Sequence, residues 1–484
     1  MSENALASYR HKIGRTLRRS RVGRVVYESA RRLRGEVRVA LHAWRAGVLT
    51  HAAGRPDADL ADRQRPLRWS ARLPGFSGPE ALRDWLVGHG IVSSEGRHTF
   101  YLPPQPELAG LFPEAAGFYP ADAGFKILKD PGSPEESRYV GAGQTTTLQT
   151  RLTGSPRRQV LAAGYLAMHG IGPAIYDMAE ITTADGGSLT AFVVQDAGRD
   201  VPTMEEYRAF MSALEERLQS GELAVIPPNW RQRGDFSPPD CARNLVKSGP
   251  GGTVRYVDFQ QFLVTDQRLV VRRLLEAASG ELHFGTAYAA RGGKYLYQSV
   301  PLAGETAKRD TQLRWRMMSA LLKRHGIDPD LRIFFDVGCN AGMMLAEALA
   351  AGARWGIGWD LPRVIEHARR LQLALGNTRL DMIGAQLHAA YPLAEDVPER
   401  LRRFTDDAVV LYLAVRQHLG FMPTLAGLRW RYLLYEGHQG ESPETIPVHM
   451  ESLARVVPVR MIDTTAYADG DSRPRPVALV ERVG

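Results

Sequence analysis

Cysteine is nearly absent. Cys241 and Cys339 are the only two in 484 residues, too few for a disulfide framework and without the spacing of a cysteine-based zinc site. Long apolar runs are missing as well. Every hydrophobic stretch falls short of the ~20 residues that cross a bilayer as a helix, and the arginine-rich start lacks the apolar core of a secretion signal. The expectation is therefore a soluble chain in a reducing cytoplasm. No internal repeat and no low-complexity block occurs, which excludes solenoid and fibrous architectures. What is present, 44% hydrophobic and 24% charged residues, is globular composition, and the length predicts roughly two to four domains.

The net charge of +8 belongs to one end. Residues 1–50 hold twelve of the 61 basic side chains and three of the 53 acidic ones, which leaves 49 basic against 50 acidic residues in the remainder. In that segment Val22, Val26, Ala30, Leu33, Val37, Leu41 and Trp44 recur at steps of three and four, the spacing of a single helical face. Arginines fill the other faces. Such a basic amphipathic helix suits an anionic membrane surface, each cation near the lipid adding ~1 kcal/mol of attraction. The plainer alternative packs the stripe on the body of the protein or on a sister subunit, as in a homo-oligomer. Nucleic acid is disfavoured as a partner, because no aromatic-rich single-strand platform accompanies the basic residues. The expected location is the cytoplasm, peripheral on the inner face of the membrane.

Residues 51–72 mix Gly, Pro and charge without period and read as a linker. Residues 73–285 and 286–484 read as two domains. The first opens with a helix from Pro79 that stops at Gly88 or Gly90, followed by an extended HTFYLP.

In the second domain, LRIFFDVGCNAGMMLAEALAAGARWGIGWD predicts a strand over Ile333 to Val337, a turn at Gly338 and Gly342, a helix from Met343 to Ala350, and a strand ending in Asp360. This is half of a doubly wound α/β unit, in which glycines bring backbone close to a ligand and an acid closing the next strand meets ribose hydroxyls. The third glycine of a dinucleotide fingerprint is missing. Instead DVGCNAG closely resembles motif I of class I S-adenosylmethionine methyltransferases. That resemblance implies a Rossmann-like fold in which Asp336, Gly338, Asn340 and Gly342 surround the methionine part of the cofactor and Asp360 holds the ribose. Asp381 and Gln386 are candidates beside the adenine. An apolar strand over Ala408 to Val415 places Arg416, Gln417 and His418 at the sheet edge, and RYLLYEGHQGE does the same for Glu436, Gly437 and His438. His418 and His438 are the candidate general bases; an already ionised phosphate oxygen as acceptor would need none.

In the first domain, RGDFSPPDCARNLVKSGPGGTVRYVDFQQF carries an aspartate, an asparagine nine residues on, and a strand closing in DFQ. This resembles the catalytic core of protein-kinase-like and aminoglycoside-phosphotransferase-like enzymes, an α+β fold that uses ATP and Mg²⁺. By the resemblance Asp235 is the catalytic aspartate, Asp258 a Mg²⁺ ligand, and Asn244 or Asp240 the second ligand; Asp240 has the usual spacing of five. Lys126, in AGFKILKD, stands where the phosphate-contacting lysine would be, with Lys129 as the fallback. The helix expected to pair with it offers Gln159 in place of a glutamate, and GAGQTTT follows the lysine strand instead of preceding it.

The pairing resembles, by domain content, the chain-terminating kinase/methyltransferases of bacterial O-antigen polysaccharides, with the domain order reversed. It implies phosphorylation and methylation of a sugar or other hydroxyl or phosphate acceptor. Three alternatives share the residues: a methyltransferase whose front half only recognises the acceptor, a scaffold that binds ATP or glycan and tethers a partner, and a nucleic-acid methyltransferase suggested only by residues 1–50.

Overall fold

The computed structural model describes residues 64, 66–70, 79–95, 99–128, 156–219, 225–226, 244–249, 251–258, 263–264, 267–278, 280–282, 296–303, 307–438, 441–468 and 474–483. The expected basic helix over 1–50, Lys129, Gly141 to Thr147, Asp235 and Asp240 lie outside them.

The N-terminal half is built on β1 (Leu67–Ser70), β2 (Ser94–Glu95), β3 (Thr99–Leu102), β4 (Ala123–Leu128), β5 (Ile175–Thr182) and β6 (Ser188–Gln195). They form one sheet in the order β1-β5-β6-β4-β3-β2, antiparallel except for the β1–β5 pair. Helix α1 (Pro79–Gly88) lies between β1 and β2, and α2 (Pro156–Met168) between β4 and β5. Beyond the sheet come α3 (Met204–Gln219), the antiparallel pairs β7 (Val225–Ile226) with β10 (Leu263–Val264) and β8 (Leu245–Val246) with β9 (Arg255–Tyr256), and α4 (Gln267–Ala277). One boundary is corrected. Leu67–Ser70, expected in the linker, is a strand, because Leu67 and Trp69 bury their side chains while Arg68 and Ser70 face solvent, the alternation of a half-buried edge.

The C-terminal half adds a parallel pair, β11 (Leu296–Gln298) with β12 (Ala307–Arg309), and then a larger sheet. Helix α5 (Thr311–Arg324) begins at Asp310, whose carboxylate accepts the Leu313 N–H at 2.9 Å, and ends on Lys323 and Arg324, both placements that favour its dipole. Then follow β13 (Ile333–Val337), α6 (Met343–Ala350), β14 (Trp355–Asp360), α7 (Pro362–Ala374), β15 (Leu380–Gly384), β16 (Val409–Leu413), β17 (Tyr432–Glu436), α8 (Ile446–Ala454), β18 (Val459–Ala468) and β19 (Pro474–Arg482). The order β15-β14-β13-β16-β17-β19-β18 reverses direction beside β13, and only β19 runs against its neighbours. This is a doubly wound α/β sheet whose switch point lies between β13 and β16. Strands β13, β16 and β17 are buried at every position, as central parallel strands covered on both faces must be.

The two halves share one apolar core. Phe118, fully buried, packs edge-on against Trp355 and Phe404 at 5.3 and 5.4 Å between ring centroids. Arg354 lies over the Phe404 ring at 4.6 Å. Gly164 of α2 sits so close to α7 that an added Cβ would stand 3.3 Å from the Leu373 carbonyl oxygen. Deepest in the junction, Arg379 Nε lies 3.4 Å from Asp177 Oδ1, with both side chains at 0% exposure. Tyr119 donates its hydroxyl to Asp177 Oδ2 at 2.8 Å, and Arg379 donates to the Ala353 carbonyl at 3.0 Å. Burial pushes the Asp177 carboxyl up to about 6 although Arg379 and the Tyr119 hydroxyl favour its charged form.

Removing the guanidinium strands a carboxylate in this junction. Arg379→Met should lower stability by ~3–5 kcal/mol at neutral pH, and Arg379→Met combined with Asp177→Asn should recover most of it. Without Arg379 the Asp177 pKa rises further, so the loss shrinks as pH falls from that higher value toward about 6, where the wild-type carboxyl also takes up its proton. Urea denaturation of the full chain at several pH values measures both effects.

Candidate functional site

At the switch point β13 ends in Val337, and the backbone turns through Gly338 (φ 79°), Asn340 (φ 50°) and Gly342 (φ 74°) into α6. The turn is held from three sides. The Gly338 and Cys339 N–H groups donate to the Trp359 carbonyl at 2.8 and 3.0 Å. Asp360 Oδ2 accepts the Asn340 N–H at 2.7 Å, and its Oδ1 accepts the Leu361 N–H at 2.7 Å. Two glutamines complete the clamp. Gln298, closing β11, donates to the Cys339 carbonyl at 3.3 Å and accepts the Met343 N–H at 3.2 Å. Gln372 of α7 donates to the Ala341 carbonyl at 2.6 Å.

Glycine is required at both ends of this turn for two reasons. The positive φ disfavours any L side chain. Space is also lacking: a Cβ on Gly338 would lie 2.5 Å from Val415 Cγ1, and one on Gly342 would lie 2.8 Å from Met382 Cε.

Asp336, at the end of β13, is buried and its Oδ2 has no hydrogen-bond partner among the described residues, and Asn340 Oδ1 is likewise a buried acceptor without one among them. Burial raises the Asp336 carboxyl to about 7, Arg314 opposing and the Asp360 and Glu436 charges adding to the rise. Burial also raises Asp360, against its two backbone N–H donors. Buried acceptors left unsatisfied among the described residues, one of them a carboxylate, invite a donor group of positive charge. Each Asp360 oxygen keeps a second lone pair for a hydroxyl donor. Asp336, Gly338, Asn340, Gly342 and Asp360 are thus brought together, and the donor set fits a ligand with an ammonium and a ribose.

Asp381 is not part of this site. It pairs in register with Ile357, three positions before the Asp360–Gly384 pair at the sheet edge, and its carboxylate is engaged by Trp355 Nε1 at 2.8 Å and Arg400 at 2.7 Å. The misplacement comes from the length of β15, which runs on to Gly384. Gln386, just past that edge, is exposed.

His418 is exposed in the short helix Arg416–Leu419, its Nε2 2.8 Å from Gln417 Nε2. His438 is half-buried after β17. A third histidine, absent from the sequence reading, is half-buried as well. His449 of α8 has Nε2 3.3 Å from Glu441 Oε2. Glu441 also pairs with Arg416 at 2.7 Å and accepts the Tyr435 hydroxyl at 2.9 Å, and Arg416 Nε donates to Tyr435 Oη at 2.9 Å. Burial and the Arg416 charge hold the His449 pKa below its usual value, with Glu441 opposing. No local sequence signal marks this group, because its members join only where β16, β17 and α8 meet.

In the N-terminal half Lys126, on β4, is half-buried and donates Nζ to the Val257 carbonyl at 3.1 Å. Burial lowers its pKa while the Asp258 charge opposes that shift. Asn244 precedes β8 and Asp258 follows β9; the Asn244 Nδ2 stands 3.5 Å from Asp258 Oδ2. Lys126, Asn244 and Asp258 are therefore neighbours. Gln159 of α2 is buried, with Oε1 unmatched among the described residues. Lys247, which the sequence reading passed over, pins β8 to α3 through both Glu206 oxygens at 2.7 and 2.8 Å. Among the described residues no group of three or more His, Cys, Asp or Glu could hold a metal, and no helix is long and apolar enough to cross a membrane.

Gly338→Ala should destabilise the chain by about 2 kcal/mol or more, from positive-φ strain and overlap with Val415. Adding Val415→Ala should relieve the overlap and leave the strain, a partial recovery that denaturant titration resolves.

No family model matches the chain, and no curated protein does. Among solved structures it is similar to magnesium protoporphyrin IX methyltransferase from Synechocystis with bound SAH (17% identity, 36% of this chain and 83% of that one, TM-score 0.26). It is also similar to the ribosomal protein L11 methylase of Lactobacillus delbrueckii (14% identity, 35% and 79%, TM-score 0.26). A third likeness is to the bifunctional kinase-methyltransferase WbdD (18% identity, 40% of this chain and 45% of that one, TM-score 0.28). Identity and TM-score this low carry no functional weight, and the reading of the site rests on its own geometry.

Proposed function

We propose that the C-terminal half is an S-adenosylmethionine-dependent methyltransferase. The observation that carries this reading is that Asp336 Oδ2 and Asn340 Oδ1 are buried acceptors unmatched among the described residues, at a turn whose Gly338 and Gly342 take positive φ. The cofactor amino group would meet Asp336 and Asn340, and its ribose would meet Asp360. Bound there, S-adenosylmethionine supplies an electrophilic methyl group on a sulfonium. The chain's part is to hold the ammonium by charge, orient the ribose through a carboxylate already fixed by two backbone donors, and keep water out with Val415 and Met382.

The N-terminal half is proposed as an ATP- and Mg²⁺-dependent phosphotransferase. Its support is the convergence of Lys126, Asn244 and Asp258: a cation suits phosphate oxygens, and an amide and a carboxylate suit Mg²⁺. Asp235 keeps its proposed role as the group meeting the acceptor hydroxyl. The acceptor class, a glycan or related hydroxyl compound of a bacterial surface polysaccharide, follows from joining phosphoryl and methyl transfer in one chain. Placement at an anionic membrane surface follows from the charge of residues 1–50.

Calorimetry should show S-adenosylmethionine binding that tightens from about pH 6 to about pH 7.5, because Asp336 gains its charge near pH 7. Asp336→Asn should weaken binding ~10-fold or more and flatten that dependence; tight, pH-independent binding by the variant overturns the assignment. ATP should bind only with Mg²⁺, and Asp258→Ala should abolish that dependence. Equal nucleotide binding with and without Mg²⁺ in the wild-type chain counts against a phosphotransferase.

A further inference from the structure

The Arg416–Tyr435–Glu441–His449 group lies at the sheet edge on the side of the glycine turn. Val415, immediately before Arg416, is the side chain that comes within 2.5 Å of the Cβ position of Gly338, so the group begins one residue from the glycine turn. It occupies the C-terminal ends of β16 and β17, the edge at which doubly wound sheets bind ligands. Its members are sheltered yet reachable: the His449 and Glu441 side chains are 15% and 14% exposed. An Arg416–Glu441 ion pair alone would tie the loop after β17 to the loop after β16. The imidazole adds something a tie does not need, a proton acceptor whose Nε2 lies 3.3 Å from a carboxylate oxygen. Arg416 and the Tyr435 hydroxyl bind both Glu441 oxygens and so fix the carboxylate in turn. Nε2 is the buried ring nitrogen, 3.3 Å from Glu441 and outside hydrogen-bond geometry, which leaves Nδ1 as the basic site. Among the described residues the charged and titratable groups facing His449 are Arg416 from the end of β16, Tyr435 from β17 and Glu441 from the loop after it.

We propose that His449 is the general base of methyl transfer, that Glu441 is its positioning residue, and that the atom methylated is a hydroxyl oxygen. The inference rests on the methyltransferase reading and narrows its acceptor. The hydroxyl oxygen attacks the sulfonium methyl, forming an O–C bond as the C–S bond breaks. The C–S electron pair passes to sulfur, giving S-adenosylhomocysteine, and the hydroxyl proton passes to His449 Nδ1. An ionised phosphate oxygen has no proton to lose, so a built base separates ether formation from phosphate methylation.

The test uses the full chain, methyl-labelled S-adenosylmethionine, and a panel of methyl hexopyranosides with their monophosphates. Label should appear as an alkali-stable methyl ether. His449→Gln should lower kcat ~100-fold or more with cofactor affinity, read by calorimetry, unchanged within about twofold. The wild-type rate should rise with pH through a histidine pKa below the usual ~6.5, and His449→Gln should lose that limb. Glu441→Gln should move it to lower pH, because Glu441 raises the His449 pKa. Label on a phosphate oxygen, transfer to no member of the panel by cofactor-bound enzyme, or a His449→Gln variant with unaltered rate and pH limb would each overturn the base assignment. Failure of the wild-type chain to bind S-adenosylmethionine would overturn the methyltransferase reading itself.

Discussion

The C-terminal half is organised around a backbone turn that carries no bulk and is fastened by side chains. Between β13 and α6 the chain leaves a buried strand, reverses through positive φ and enters a helix within five residues. Many of its backbone groups are taken up by a neighbour: the Trp359 carbonyl, the Asp360 carboxylate, Gln298 and Gln372. Such a turn is expensive in isolation, since left-handed backbone and buried amides both cost free energy. It persists because β14, α7 and β11 arrive with matching donors and acceptors. Two buried acceptors, on Asp336 and Asn340, stay unmatched among the described residues.

A second buried charge arrangement supports the same edge from below. Glu436, closing β17 at 0% exposure, is paired with Arg314 of α5 and accepts the Tyr467 hydroxyl at 2.9 Å. Burial alone would raise the Glu436 carboxyl, but Arg314, Arg309 and Arg475 outweigh it and hold the group below its ordinary value. Glu436 is thus a structural anion that ties α5 and β18 to the sheet, whereas Glu441, five residues on and partly exposed, is left to serve a histidine. Neighbouring carboxylates have different uses because one is enclosed by arginines and the other is not.

The junction between the halves gives the molecule a further constraint. α2 packs on α7, and α7 supplies Gln372 to the cofactor turn. The helix that follows the Lys126 strand therefore rests on the helix that clamps the glycine turn. Arg379 and Asp177 lock the same junction with a buried pair whose members lie 202 positions apart in a chain of 484 residues.

Much of this was legible where chemistry is local. The bounds Ile333 to Val337 and Met343 to Ala350 agree with the sequence reading, because an apolar run broken by glycine and resumed at helical spacing dictates them with little help from elsewhere. The strand carrying Lys126 and the helix from Pro79 to Gly88 were readable for the same reason. Leu67–Ser70 was not, since a four-residue edge becomes a strand only by pairing with β5, more than a hundred residues later. Asp381 was misplaced because one strand's length sets which residue reaches an edge. The sequence alone determined which backbone must bend at Gly338 and Gly342 and which strands must be buried. Tertiary structure alone decided that His449, and neither His418 nor His438, stands against a fixed carboxylate, because that proximity exists only where three separated segments pack together.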